Sequence, residues 1–477
     1  MKKSCISDHE RLRRACPRLS LLTASKAESL GRAGMGVDIM QALVTSLEHL
    51  DRRLASGDAQ VCVIGLGTVG LPQLLAAAEA GFPTVGIDID TTITDRINRG
   101  VSPEVDTDPE LLRQMVAGGR LKATTDFDAV CDSDCVVFCV PTSWSPEASP
   151  DLSAVTSAAR EVGRRLRSPK LIVLESTVPP GSTREVILPL LESGGLAVGS
   201  DFCLAFAPER LDPGNTSFST LDIPKVVGGI TPTCTALASR FYSRLTIEVH
   251  PVSSPEVAEA TKVFENTFRF VNIGLANELA QVCSSLRISP REVLDAASTK
   301  PFGFMRHSPG PGVGGRCIPL APRYFRWTAQ RQGVGSKITD AAIAVNDRRP
   351  ELVAKETVAR VHEALAGQAR PVVLIVGIAY KPGVGDVRGS VALTIASLLK
   401  NAGLRVQYHD PFVPTIAIDG ERLASLPLTE DSIRSADCTL ILCPHDEIDY
   451  EAIKTHSRCV LDPINMISSG LQRDLPS

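Results

Sequence analysis

The sequence predicts an α/β protein with two Rossmann-like, doubly wound parallel-sheet domains joined by a long central helix. Three observations carry that expectation. Val61-Cys62-Val63-Ile64 reads as a buried strand that runs at once into a glycine turn and an alanine-rich helix. Strand and helix patterns keep alternating behind it, which is the mark of parallel strands with crossover helices. From Pro255 to about Leu286 one long helical pattern interrupts the alternation, and at Val372-Val373-Leu374-Ile375-Val376 a second alternating series begins.

Composition sets the outer bounds. A chain of 477 residues is too long for a single core, and 43% hydrophobic content is ample for two or three. A net charge of −4 supplies no general electrostatic pull toward nucleic acid or an anionic membrane, and no apolar run reaches the length of a membrane span. The 13 cysteines are scattered without a CxxC pair, which fits reduced thiols and a cytoplasmic protein. Cys131, Cys135 and Cys139 are evenly spaced. Cys135 to Val140 nevertheless reads as a buried strand with Cys135 and Cys139 on one face, so small buried side chains are expected rather than metal ligands. The histidines show no ligand spacing either, and no metal is expected.

Taken in order, the chain opens with basic residues (Lys2, Lys3, Arg11, Arg13, Arg14, Arg18) that lack the apolar core and cleavage site of a secretory signal. Residues 1–35 are expected to form a flexible extension. Ile39, Leu43, Leu47, Leu50 and Leu54 fall at helical spacing over 38–56, and Gly57 closes that helix. After the first strand, Gly65-Leu66-Gly67-Thr68-Val69-Gly70 opens a helix to Ala80, and a second strand, Thr84-Val85-Gly86-Ile87, ends in Asp88. A GxGxxG in this setting lets the backbone close on a pyrophosphate at a helix N-terminus. The acidic residue accepts hydrogen bonds from the adenosine ribose and repels a 2′-phosphate, so the expected cofactor is NAD.

Further strands are expected at 135–140 and 171–175, with helices at about 151–167 and 183–193. Their carboxyl ends carry Val140-Pro141-Thr142 and Glu175-Ser176-Thr177, which puts Thr142 and Thr177 on the nicotinamide side, unless the hydroxyls only cap turns. Glu209 is central to a Pro-bounded turn, Phe206 to Gly214, and could equally serve a surface ion pair. On the long helix, Lys262, Asn266 and Arg269 share a face, either as a solvated stripe or as donors for an oxyanion.

The stretch from Ser298 through Met305 leads into Pro309-Gly310-Pro311-Gly312-Val313-Gly314-Gly315-Arg316-Cys317. Its glycines expose successive backbone N–H groups, a nest suited to a diphosphate. Arg316 would favour the thiolate of Cys317 if the two share a pocket. The plainer alternative is a loop with a buried cysteine. A helix is expected at 337–365, then a second α/β unit with a helix near 390–401 and strands at 405–408 and 438–442. Its first turn, Gly377 to Gly383, lacks the GxGxxG form. Lys381 and Arg388 there could anchor an anionic ligand or simply be exposed.

With these pieces in place the chain resembles the nucleotide-sugar dehydrogenases, the UDP-glucose, UDP-N-acetylmannosamine and UDP-N-acetylglucosamine 6-dehydrogenase family. The markers are GLGTVGLP at 65–72, VPT at 140–142, PDLS at 150–153, ESTVPPG at 175–181, APERLDPG at 207–214, AEATKVFENTFRFVNIGLANELA at 258–280 and PGPGVGGRCIP at 309–319. STKPFGFM at 298–305 looks most like the UDP-N-acetylglucosamine branch. The resemblance implies an NAD-binding Rossmann domain at 36–250, a central dimerisation and active-site segment at 251–365, and a nucleotide-sugar-binding domain at 366–477. It implies oxidation of a sugar C6 hydroxyl through an aldehyde and a Cys317 thioester to the uronate, in a homodimer. Lys262 and Asn266 would stabilise the oxyanion, and Glu209 and Thr142 would handle water and protons. Gly65, Gly67, Thr68, Val69, Gly70, Asp88, Arg96, Thr142 and Thr177 would hold NAD. Arg210, Leu211, Lys262, Arg269, Gly310, Gly314, Gly315, Lys381 and Arg388 would hold the substrate.

The chain also departs from the family pattern, which reads GGHC followed by an Asp four residues after the Cys. Here those positions are Arg316 and Ala321. Loss of a carboxylate near Lys262 should lower its pKa, and Arg316 would push the same way if close. Two other outcomes therefore stand beside the dehydrogenase: a redox-neutral, NAD-retaining dehydratase or epimerase acting on a sugar nucleotide or nucleoside, and an inactive nucleotide-sugar-binding protein.

Overall fold

The computed structural model describes residues 35–104, 107–167, 169–211, 222–364 and 370–467. Residues 1–34 of the expected extension and the Asp212-Pro213-Gly214 end of the Glu209 turn lie outside the described residues. The first sheet contains β1 (Val61–Ile64), β2 (Thr84–Ile87), β3 (Leu121–Thr124), β4 (Cys135–Phe138), β5 (Leu171–Leu174), β6 (Cys203–Phe206), β7 (Lys225–Gly229) and β8 (Val249–Val252). They lie in the order β8-β7-β6-β5-β4-β1-β2-β3. The expectation of a wholly parallel sheet needs one correction: β7 runs antiparallel to β6. Between Phe206 and Lys225 the chain reverses and comes back beside the strand it has just left, a return rather than a crossover.

Strand residues alternate between two buried clusters. Val61 and Val63 face one and Cys62 and Ile64 the other, which is why these strands read as unbroken apolar runs. Helix α1 (Met35–Ser56) lays Leu47, Leu50 and Leu54 on the first cluster, where Cys135 and Cys139 also sit together on one face. Helix α2 (Gly70–Glu79) follows the glycine turn so closely that a Cβ at Gly70 would lie 1.7 Å from the Gly65 carbonyl oxygen.

Among the described residues four helices lie between the two sheets, the short Pro290–Ser298 and three longer ones that pack on one another. In α3 (Pro255–Leu286) Pro255 occupies the first turn, the Ser254 hydroxyl accepts from Val257 N–H, and Arg287 closes the helix in the left-handed region. Helix α4 (Cys317–Arg331) packs Leu320 and Tyr324 on Val263 of α3, and α5 (Lys337–Ala364) packs Ala342 and Ile343 on Phe270. Sequence reading did not anticipate α4, because Pro319 and Pro322 argue against a helix. Pro319 falls in the first turn, where its missing N–H has no helical partner to lose. The second sheet holds β9 (Val372–Val376), β10 (Arg405–His409), β11 (Cys438–Ile441) and β12 (Val460–Leu461), all parallel, in the order β10-β9-β11-β12. Among the described residues no helix is long and apolar enough to cross a membrane.

The seating of α2 is open to test. Gly70→Ala should destabilise the protein by about 1–3 kcal/mol, the usual cost of forcing extra volume into a packed site. Thermal unfolding reads the effect, and an unchanged midpoint would contradict the close approach of Gly70 to Gly65.

Candidate active site

The cofactor side is built at the carboxyl end of β1. Gly65 has φ of +90°, and a Cβ there would meet the Cys139 carbonyl oxygen at 2.8 Å. Helix α2 begins without a side-chain cap and without an acidic residue in its first turn. Its N-terminal N–H groups are thus available to an anion, with the helix dipole favouring negative charge. Asp88, just past β2, accepts from Leu66 N at 2.8 Å and Asp90 N at 3.0 Å, which fixes its carboxylate beside the turn. Thr68 is exposed and Val69 half-buried at the lip of the turn. Arg96 is half-buried and donates to the Ser102 carbonyl at 2.5 Å. This donor set, with an anion cradle next to a fixed carboxylate, fits NAD. On the far side of β4, Thr142 Oγ1 donates to the Thr177 carbonyl at 2.7 Å and ties two strand ends together.

Away from this turn, Cys317 and Glu209 each lie within electrostatic reach of Lys262. Cys317 is exposed at the first residue of α4, and its sulfur lies within electrostatic reach of the Lys262 amine. Burial pushes the Lys262 ammonium below its usual pKa, and nearby Arg210 adds to this against the pull of Cys317, Glu209 and Glu265. The expected direction is therefore found, but its main cause is burial, and the cation that contributes is Arg210 rather than Arg316. Asn266 Nδ2, one turn along α3 from Lys262, is buried with no hydrogen-bond partner among the described residues. Glu209 accepts from Arg210 N and Leu211 N, both at 2.7 Å, and from Lys225 Nζ at 3.0 Å. These bonds outweigh burial and hold its carboxyl below the ordinary range.

The glycine loop hangs between the two sheets. Gly310 N donates to Asn277 Oδ1 of α3 at 2.8 Å, and Arg349 Nε of α5 donates to the Gly310 carbonyl at 3.0 Å. At the other end Gly315 N donates to the Gly389 carbonyl at 3.0 Å. A Cβ at Gly314 would sit 3.2 Å from that same oxygen, and one at Gly315 would sit 3.1 Å from the Tyr380 ring. Lys381 is half-buried nearby. Arg388 is exposed and grips Asp386 with bonds of 2.8 and 3.0 Å, with Glu104 at 4.0 Å. Arg316 lies within electrostatic reach of Asp386, so its charge is directed to the second domain. The Arg210 guanidinium is taken up by Glu265 at 2.7 Å and the Pro224 carbonyl at 2.7 Å. Arg269 is exposed on α3.

Sequence reading missed four residues that shape the site. Tyr324, two turns past Cys317 on α4, is buried and donates to the Ser143 carbonyl at 3.2 Å. Burial raises its hydroxyl pKa to about 12. Glu259 accepts from Gly181 N, Thr183 N and Thr183 Oγ1 at 2.5–2.7 Å and so ties the turn after Thr177 to α3. Burial pushes that carboxyl up to about 7. Asn277 and Lys225 complete the set. For Tyr324 the available signal was its helical spacing from Cys317, once α4 is granted.

The fold and this site define an NAD-dependent oxidoreductase with a second α/β domain closing on the first. Family models for the UDP-glucose/GDP-mannose dehydrogenases match residues 59–246 (NAD binding domain), 256–348 (central domain) and 374–469 (UDP binding domain). The chain belongs to this family of NAD-dependent nucleotide-sugar dehydrogenases. It is 31% identical over 417 residues to UDP-N-acetyl-D-mannosamine dehydrogenase of Pyrococcus horikoshii, covering 86% of this chain and 96% of the relative. It is 30% identical over 436 residues to NDP-N-acetyl-D-galactosaminuronic acid dehydrogenase of Ralstonia solanacearum, covering 88% and 99%. Among solved structures, the UDP-D-ManNAc dehydrogenase of Pyrococcus horikoshii superposes with a TM-score of 0.78 at 30% identity, covering 86% of this chain and 96% of that one.

The buried amine gives a direct test. Lys262 should reach half-maximal reactivity toward an acylating reagent below its usual 10.5, because deprotonation relieves the cost of burying charge. A peptide-resolved labelling titration with its midpoint at or above that value would contradict the burial of the ammonium.

Proposed function

We propose that the protein oxidises the C6 alcohol of a nucleotide-linked 2-acetamido hexose, a UDP-N-acetylglucosamine-like substrate, to the uronate. The observation that carries this reading is that the half-buried Lys262 amine lies within electrostatic reach of both the Cys317 thiol and the fixed Glu209 carboxylate. The 65–70 turn and Asp88 would hold NAD, which would supply the hydride acceptor, one molecule for each of the two oxidations. Lys262, poised toward its neutral form, takes the hydroxyl proton. Lys262 and the free Nδ2 of Asn266 then stabilise the oxyanion. Cys317 adds to the C6 aldehyde as the thiolate, and the second oxidation leaves a thioester on its sulfur. Water held by Glu209 and Thr142 releases the acid and restores the thiol. One alcohol and one water thus give one carboxylate, with four electrons leaving as two hydrides.

The nucleotide-sugar diphosphate would lie on the 310–315 loop with Lys381 and Arg388, and Arg210, Leu211 and Arg269 would line the sugar side. The names of the two relatives given above, dehydrogenases of N-acetylated amino sugars, support the 2-acetamido group, and the 298–305 stretch supports the gluco configuration. A second reading rests on Ala321, which is fully buried in α4 and brings no carboxylate to the site. Without the last hydrolysis, a neutral Lys262 could instead remove a proton beside the first-formed carbonyl and give dehydration or epimerisation.

Incubation with NAD and a panel of nucleotide sugars separates these readings. Two NADH per sugar and a product with the uronate mass are expected, and Cys317→Ala should abolish uronate formation. Loss of water, or an epimer of unchanged mass, without accumulating NADH would replace the dehydrogenase reading with the second one.

The homodimer is also proposed here. Val257, Phe264, Phe268, Leu275, Val282 and Leu286 are all exposed on α3 and fall at i, i+7, i+11, i+18, i+25 and i+29, a single straight stripe. A second copy of the same stripe is the natural cover for so much apolar surface. Light scattering should give a dimer mass that Phe264→Glu with Leu275→Glu converts to a monomer. A monomeric wild type would end the proposal.

A further inference from the structure

Beneath the Glu209 turn a lysine is enclosed between two carboxylates. Lys225, the first residue of β7, places Nζ 3.0 Å from Glu209 Oε2 and 3.2 Å from Glu175 Oε1, and its side chain is only 9% exposed. Glu175, just past β5, is fully buried and accepts from Tyr242 OH at 2.5 Å and from the Cys139 thiol at 3.7 Å. Lys225 Nζ also lies 4.9 Å over the Tyr242 ring. The reaction proposed above uses Glu209 and leaves Lys225 and Glu175 without a chemical task.

The surroundings of Glu209 give them one. Among the described residues, the groups that face it are Lys225 from β7, Glu175 from the end of β5, Cys139 from the end of β4, Tyr242 from the helix Pro232–Tyr242, and Lys262 from α3. Its backbone neighbour Arg210 spends its guanidinium on Glu265 and Pro224. Lys225 is therefore the cation bonded to Glu209, while Lys262 is itself being pushed toward neutrality. A carboxyl this buried would otherwise drift toward its protonated form, which donates rather than accepts on one oxygen. Burial does push Glu175 upward, which leaves the lysine's charge mainly to Glu209.

We propose that Lys225 is a positioning residue for the reaction: it fixes Glu209 as an anion in one orientation beneath the cleft, and Glu175 with Tyr242 holds the lysine there. The kinetic consequence rests on the dehydrogenase reading, whereas the electrostatic one does not. Lys225→Met alone strands two carboxylates and endangers folding, so the informative variant is Lys225→Met with Glu175→Gln, which removes the pair as a unit.

In that double variant the acid limb of the kcat/KM profile should move up by a pH unit or more, costing about tenfold in rate at the acid end. Glu175→Gln alone should leave the limb at or below its wild-type position, and Lys225→Arg should restore it. In substrate-free protein the ¹³C-carboxyl resonance that Glu209→Gln removes should show the same upward titration shift. A resonance and limb that stay put in the double variant would overturn the proposal. If the wild type oxidises no nucleotide sugar, the dehydrogenase reading fails, and the carboxyl titration alone still decides the role of Lys225.

Discussion

Two hydrogen bonds to the backbone of Gly310 anchor the loop that leads to Cys317. Asn277 accepts its N–H and Arg349 donates to its carbonyl, so α3 and α5 hold one end of the glycine loop while Gly389 of the second domain holds the other. A loop rich in glycine has little side-chain packing of its own and a large entropy to lose on ordering. Anchors on buried side chains supply what it lacks. Asn277 is itself fixed by Asn346, which in turn donates to the Phe270 carbonyl. The Gly310 end of the loop is thus set inside the helix packing, and the end nearer Cys317 by the second domain.

The electrostatics follow from the same packing. Helix α3 carries Lys262 toward Cys317, and its burial makes the charged form costly. Glu209 is equally enclosed and yet stays an anion, because backbone donors and Lys225 converge on it. An acid and a base of opposite tendency therefore sit near one another, with the amine nearer neutral and the carboxyl more acidic than either would be in water. Neither state follows from residue type alone. Each is set by what the neighbouring strand or helix brings against it.

Much of this was legible in the sequence. The glycine turn, Asp88, the long helix and the second α/β series all have local patterns strong enough to place them, and the structure sets each where its pattern puts it. What was not legible depends on distance along the chain. Lys225 meets Glu209 and Glu175 because β7, β6 and β5 are adjacent in the sheet, which no local pattern announces. Helix α4 was hidden by two prolines, one of them in the first turn where proline is harmless. Sequence adjacency left the partner of Arg316 open: it precedes Cys317, and the fold also brings it within electrostatic reach of Asp386 in the second domain.

The suspension of the glycine loop between both domains makes it a transmission element. Its N-terminal end belongs to the helical scaffold and its C-terminal end to the Gly389 turn, next to Arg388. A small rotation of the second domain, such as a ligand gripping Arg388 would impose, pulls on Gly315 and thereby on Cys317 two residues later. The thiol would then come into register only when the far end of the substrate is seated. If the protein acts as proposed, recognition of the nucleotide and commitment to chemistry would become one movement, and a free aldehyde sugar lacking the nucleotide would find the sulfur out of line.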